Sequence, residues 1–167
     1  MVETRSDRDA QNKVWEMIKD IEVATLVTLD AEGRFHGRPM RAQQKSFDTT
    51  LWFFTNNDAP VVEEIGRDGR VLLSYASPSS QDYVSLFGRA KVVHDVGKQK
   101  ELWTEGMRVW FPAGAEDPKI ALLAVEVEGA EYWDAPSSTV LHAYGYVKAV
   151  TTGEPPKPGE NAKVSFT

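Results

Sequence analysis

The chain has 167 residues and carries 19 Lys plus Arg against 25 Asp plus Glu, a formal charge of −6. That length is one domain, and 41% apolar with 26% charged residues excludes a disordered, collagen-like or coiled-coil chain as a description of the whole. With no cysteine, disulfides, thiolate metal sites and a cysteine nucleophile are excluded.

The acidic balance opposes the phosphate neutralisation on which DNA and RNA binding depends, so no nucleic-acid partner is expected. The opening MVETRSDRDA is mostly polar, and no apolar run approaches the ~20 residues that span a bilayer. A cytoplasmic protein without a membrane partner is the expectation.

In chain order, Val14, Trp15, Ile18 and Ile21 lie at helical spacing among Lys13, Glu16, Lys19 and Asp20, which predicts a short amphipathic helix. VATLVTL, from Val23, then reads as a strand, and HGRPMRA as its hairpin partner across a turn at residues 30–34. Gly33 supplies the positive φ that such a turn needs. LWFFT (residues 51–55) is too short for a typical helix and carries three aromatics in a row, so it reads as a strand. Asn56, Asn57, Asp58 and Pro60 start a short helix, VVEEI, that Gly66 and Gly69 end.

VLLSYA (71–76) and YVSLFGRAKVV (83–93) predict two more strands, with Gly88 as a bulge or a close backbone approach. KQKELWTEGM (98–107) reads as a helix, VWFPAGAEDP as a long loop, IALLAVEVEGAEYW as a strand or bent strand pair, and HAYGYVKAV as either helix or strand. EPPKPGENAK is Pro-rich and nearly devoid of apolar residues, so residues 154–167 are expected to be a flexible tail behind a domain of residues 1–153. About six short strands flanked by helices predict a mainly β, compact antiparallel barrel with helices outside it.

The motifs of common chemistries are missing. His36, His94 and His142 show no metal-ligand spacing, and no metal is expected. There is no GxSxG, GxGxxG or GxxxxGK[ST], which leaves hydrolase, Rossmann and P-loop readings without support. Two segments remain. Pro39 lies within an apparent strand, flanked by Arg38 and Arg41. Backbone groups left free there suit a flat polar ring, with an arginine for an anion; an edge strand protected by proline and two solvated arginines is the structural alternative. Thr55 and Asn56, before a helix N-terminus, suit a phosphate or serve as an ordinary cap.

Taken in order, the first helix, VATLVTLDAEGRFHGRPM, LWFFTNNDAPVVEEI, VLLSYA, YVSLFGRAKVV, the KELW helix, VWFPAGAEDP and AEYWD closely resemble the general stress protein family. That family is a branch of the pyridoxamine 5'-phosphate oxidase-like FMN-binding split barrels, and the resemblance covers residues 12–149. It implies a six-stranded antiparallel split β-barrel that forms a homodimer, with FMN, or FAD as the alternative, in clefts at the interface. It places Arg38, Pro39 and Met40 along the flavin and Phe54, Thr55 and Asn56 beside the ribityl phosphate. Trp133 corresponds to a tryptophan that reaches the flavin of the opposite subunit, or else it is a core residue. Relatives carry lysines where this chain has Val61 and Gln43, and Arg41 is the substitute cation that the sequence offers. The implied activity is that of a flavin-dependent oxidoreductase on a small substrate, with no residue assigned as acid or base. A flavin carrier, buffer or sensor, or a split barrel acting through protein contacts, is the alternative.

Overall fold

The computed structural model describes residue 2 and residues 4–135, 139–153 and 159–167. A two-residue strand β1 (Thr4–Arg5) leads into helix α1 (Arg8–Ile21), whose N-terminus is capped by Asp7 accepting from the Ala10 amide at 2.9 Å. Ala10, Val14, Met17 and Ile18 form its buried stripe, at the i, i+4, i+7, i+8 positions of one helix face.

Strands β2 (Val23–Leu29) and β3 (Phe35–Arg41) make the expected hairpin. In its turn Gly33 has φ of 75°, and the Asp30 carboxylate accepts from the Glu32 and Arg34 amides, both at 2.9 Å. Strand β4 (Thr50–Asn56), helix α2 (Pro60–Arg67), strand β5 (Arg70–Ser77) and strand β6 (Asp82–Val93) follow where the sequence placed them, except that α2 runs through Gly66 and ends before Asp68. Pro60 opens α2 at the position where its missing N–H costs nothing, and the N-cap Ala59 supplies no side-chain bond.

The segment expected as one helix over residues 98–107 is two elements. Helix α3 (Val96–Leu102), capped by Asp95, ends at Trp103, which is extended with ψ of 137°, and a 3-10 turn covers Glu105–Val109. Phe111 and Met107 are buried where this turn packs, so the chain bends to place them rather than continuing the helix. Strand β7 (Ile120–Asp134) is a single long strand, helix α4 (Thr139–Thr152) resolves the helix-or-strand alternative, and strand β8 (Glu160–Ser165) ends the chain.

The sheet order is β1-β8-β7-β6-β5-β2-β3, with β4 also paired to β7. Strand β7 is the spine. One of its edges runs along β6 from Leu122 to Trp133; the other pairs first with β4 and then with β8. Its run IALLAV is continuous rather than alternating because both faces are covered. Leu123 and Val125 point into the main core with Leu26, Leu51, Phe53, Leu73 and Leu86, while Ile120 and Leu122 join Phe111 in a second cluster beneath Trp52, Phe54 and Trp103. Leu26, Leu51 and Leu73 are fully buried, each contributing about 2 kcal/mol of transfer free energy.

Gly88 marks the expected bulge. The β6–β7 register shifts between Phe87 and Gly88, and a Cβ on Gly88 would meet the Glu126 carbonyl oxygen at 2.0 Å. The six strands of the expected barrel are all present, with β1 and β8 added. The second of these corrects the flexible-tail expectation over residues 160–165. Ala162 and Val164 alternate inward and are buried against β7, so two small apolar residues at strand spacing suffice to dock a segment whose composition reads as a tail. Residues 154–158 of that tail lie outside the described residues.

The barrel does not close by a ladder between β3 and β4. Where the chain leaves β3, the Gln43 amide donates to the Trp52 carbonyl at 3.1 Å, and the Gln44 side chain bonds the Trp52 amide at 3.0 Å and the Thr50 carbonyl at 2.5 Å. One backbone bond and the Gln44 side chain stitch this seam. Beside it the barrel is open.

Candidate functional site

A cleft of about 810 Å³ lies at that open seam. The end of α1 contributes Trp15, Ile18 and Lys19, followed by Glu22 and Val23. From β3 come Pro39, Met40 and Arg41, continued by Gln43 and Gln44, and from the end of β4 come Phe54, Thr55 and Asn56. Trp110 and Phe111, behind the 3-10 turn, and Tyr75 of β5 complete the walls.

Each group stands there for a local reason. β3 is an edge strand, which is where a strand tolerates Pro39, and one side of its backbone is left without a strand partner. Phe54 faces away from the main core, toward Trp103 and Phe111 at 6.3 Å from each ring, because alternation along β4 sends Leu51 and Phe53 inward. Trp15 is held in place by stacking on Phe47, with ring centroids 5.7 Å apart and 12° between planes. The wall is therefore aromatic and flat, with the hydroxyl of Thr55 and the amides of Asn56, Gln43 and Gln44 as polar groups.

Charge in the cleft is sparse and paired. Arg41 Nη2 is 3.0 Å from Glu22 Oε1, and Lys19 Nζ is 2.7 Å from Glu16 Oε2. Glu22 itself has φ of 70° and ψ of −50° at the α1–β2 junction, a conformation that non-glycine residues seldom adopt.

Of the residues singled out in the sequence, Pro39, Met40, Arg41, Phe54, Thr55 and Asn56 are brought together here from two strands that share no ladder. Arg38 and Trp133 are not among the lining residues. The Arg38 guanidinium reaches the other way, donating to Thr28 Oγ1 at 2.7 Å and to Glu64 Oε2 at 2.5 Å. Glu64, on α2, is 6% exposed and also meets Thr28 Oγ1 at 2.6 Å and His36 Nδ1 at 2.7 Å. Burial by itself would raise the Glu64 carboxyl; the bonds from Thr28, His36 and Arg38 outweigh it and hold the group below its ordinary value of 4.5.

Trp133 lies eleven residues along β7 from Leu122, the partner of Phe54, or roughly 35 Å of strand. It is exposed on the outer face of the sheet, opposite Tyr83. In the neighbouring rows Leu72 pairs with both Val27 and Phe87, and Phe87 lies over Gly129. Val23, Pro39 and Arg41 belong to the same outer face and also line the cleft, so this apolar patch and the cleft share a border.

Val61 is buried in the main core, whereas Gln43 lines the cleft. Sequence reading missed Trp15, Tyr75 and Trp110. Their spacing marks the first two as inward-facing residues, and nothing local distinguishes a core position from one bordering an open seam. Among the described residues no group of three or more His, Cys, Asp or Glu is placed to hold a metal, and no helix is long and apolar enough to cross a membrane.

The comparisons with known proteins agree with this geometry. The sequence matches the pyridoxamine 5'-phosphate oxidase like family over residues 9–157, and the chain belongs to that family. Its fold is similar to that of a general stress protein 26 from Jannaschia sp. CCS1, with a TM-score of 0.78 at 22% identity, covering 96% of this chain and 100% of that one. It is also similar to the general stress FMN/FAD binding protein of Xanthomonas citri, with a TM-score of 0.68 at 29% identity over 79% of this chain and 93% of that one. A general stress family protein of Xanthomonas campestris pv. campestris is 30% identical, with a TM-score of 0.67 over 78% and 90% of the two chains. Protein bli-3 of Neurospora crassa is 23% identical over 122 residues, which span 68% of this chain and 58% of that protein.

Proposed function

We propose that this protein binds FMN in the seam cleft and acts as a flavin-dependent oxidoreductase on a small substrate. The observation that carries the reading is the meeting of Pro39, Met40 and Arg41 with Phe54, Thr55 and Asn56 around one cleft of about 810 Å³, at the place where the barrel fails to close. The donor set fits the cofactor. A flat apolar wall suits the isoalloxazine ring, the unpaired edge of β3 supplies backbone groups for its polar rim, and Thr55, Asn56 and Arg41 offer donors to the phosphate. The bound flavin supplies the electron chemistry, and the chain binds, orients and shields it. Similarity to the FMN/FAD binding protein of Xanthomonas citri supports the same assignment.

The working unit is a homodimer. Val23, Leu72, Tyr83, Phe87 and Trp133 are exposed on one outer sheet face, and a second copy covering it also closes the cleft along Pro39 and Arg41. Trp133, remote from its own cleft, is then placed to reach the flavin of the other subunit.

The absorbance spectrum of the purified protein, followed by titration with FMN, FAD and riboflavin, tests this reading. Flavin bands with FMN bound more tightly than riboflavin are expected, and reduction of the bound flavin by a nicotinamide nucleotide separates an oxidoreductase from a carrier. A colourless protein that no flavin titrates rules the cleft assignment out.

A further inference from the structure

Tyr75 is 1% exposed, and its hydroxyl oxygen is buried with no hydrogen-bond partner among the described residues. Buried hydroxyls in native proteins are nearly always paired, because losing water without replacement is costly. Its position follows from strand alternation. Val71, Leu73 and Tyr75 of β5 all point inward, and across the sheet Tyr75 pairs with Ala24 on one side and Val84 on the other. Ala24 in turn pairs with Met40, so Tyr75 and Met40 share one inner row, their backbones about 10 Å apart. Both line the cleft.

We propose that the Tyr75 hydroxyl is a ligand-binding donor of the cleft, donating a hydrogen bond to a neutral carbonyl or imine acceptor on the edge of a bound planar heterocycle. The inference rests on the flavin reading above, in which that heterocycle is the flavin ring. The row Met40–Ala24–Tyr75–Val84 is apolar apart from the hydroxyl, which suits an uncharged acceptor and would penalise a phosphate. Burial also pushes the phenol well above its ordinary value, so the group stays a neutral donor throughout the working pH range.

A hydroxyl that waits for a ligand has opposite effects on the free and bound protein, and this separates it from a structural tyrosine. Tyr75→Phe removes one oxygen and keeps the ring that fills the core. In the ligand-free protein the substitution is expected to raise the unfolding temperature by about 2–4 °C, since the orphaned group is gone. In flavin titrations it is expected to raise the dissociation constants of FMN and riboflavin by the same factor, about three- to tenfold. Equal flavin affinities for variant and wild type would overturn the assignment, and so would a lower unfolding temperature, which means the hydroxyl is already satisfied without ligand. Loss confined to FMN would place the hydroxyl at the phosphate and overturn the neutral-acceptor claim. Failure of the wild-type protein itself to bind any flavin would remove the reading of the cleft, and this assignment with it.

Discussion

Arg38 Nη2 lies 2.5 Å from Glu64 Oε2, and that pair ties the edge strand β3 to helix α2 on the inner face of the sheet, where Arg38 is paired with buried Leu26. The arginine side chain is 17% exposed and the glutamate 8%, so neither charge is well served by water. Arg38→Ala leaves a buried carboxylate with only Thr28 and His36, and is expected to cost about 2–4 kcal/mol in urea unfolding. Arg34→Ala, in the exposed hairpin turn, is expected to cost about 0.5 kcal/mol. Equal midpoints for the two variants would show that the buried pair contributes nothing.

The same carboxylate gives a pH dependence with a definite sign. Glu64 titrates below its ordinary 4.5 in the folded protein, so the unfolded chain binds the proton more tightly. The stability it contributes is complete above about pH 4.5 and is lost as pH falls through the lower folded value. Denaturant melts between pH 6 and pH 3 are expected to show a shallower acid-side loss in Glu64→Gln than in wild type.

Two glycines separate steric need from accident. Gly88→Ala drives a Cβ to 2.0 Å from the Glu126 carbonyl oxygen at the bulge and is expected to destabilise by about 3 kcal/mol. Gly66→Ala, in α2 with nothing within 4 Å of the new Cβ, is expected to stabilise by about 0.5 kcal/mol. Thermal unfolding of both variants checks the pair of signs.

At the cleft, Arg41 is bonded to Glu22 and stands where an anionic group of the ligand can exchange for that carboxylate. Arg41→Gln is expected to weaken FMN about tenfold and leave riboflavin unchanged, since only FMN carries the phosphate. Parallel losses for both flavins would place Arg41 at the ring.

Phe87 and Trp133 test the proposed dimer. Phe87→Arg puts a charge at the centre of the apolar outer face, and light scattering is expected to show monomers at micromolar concentration. Trp133→Ala is expected to lower flavin affinity although its own cleft lies at the other end of β7. Unchanged affinity in that variant would assign Trp133 to the interface alone.

Much of this architecture was legible along the chain. Alternation in VATLVTL, the three aromatics of LWFFT, the Asn-Asn-Asp before Pro60 and the unbranched need for glycine at position 88 are local signals, and local backbone preference decides such elements. The break at Trp103 and the docking of Glu160–Ser165 were not legible, because each depends on a distant surface: the cluster around Phe111 for the first, the free edge of β7 for the second.

The site divides in the same way. Pro39 was conspicuous in the sequence because it strains a local rule within a strand, and Thr55 and Asn56 because they stand ahead of a helix N-terminus. Arg38 looked equal to Arg41 there, and only the folded chain separates them, since successive strand residues point to opposite faces and α2 happens to bring Glu64 to one of those faces. The sequence by itself determined the first helix, the six strands of the barrel, their order and the family to which the chain belongs. The tertiary structure alone decided which cation meets a buried carboxylate, which buried tyrosine hydroxyl has no partner among the described residues, and where the barrel stays open. Those outcomes rest on contacts between residues dozens of positions apart, and no local pattern encodes them.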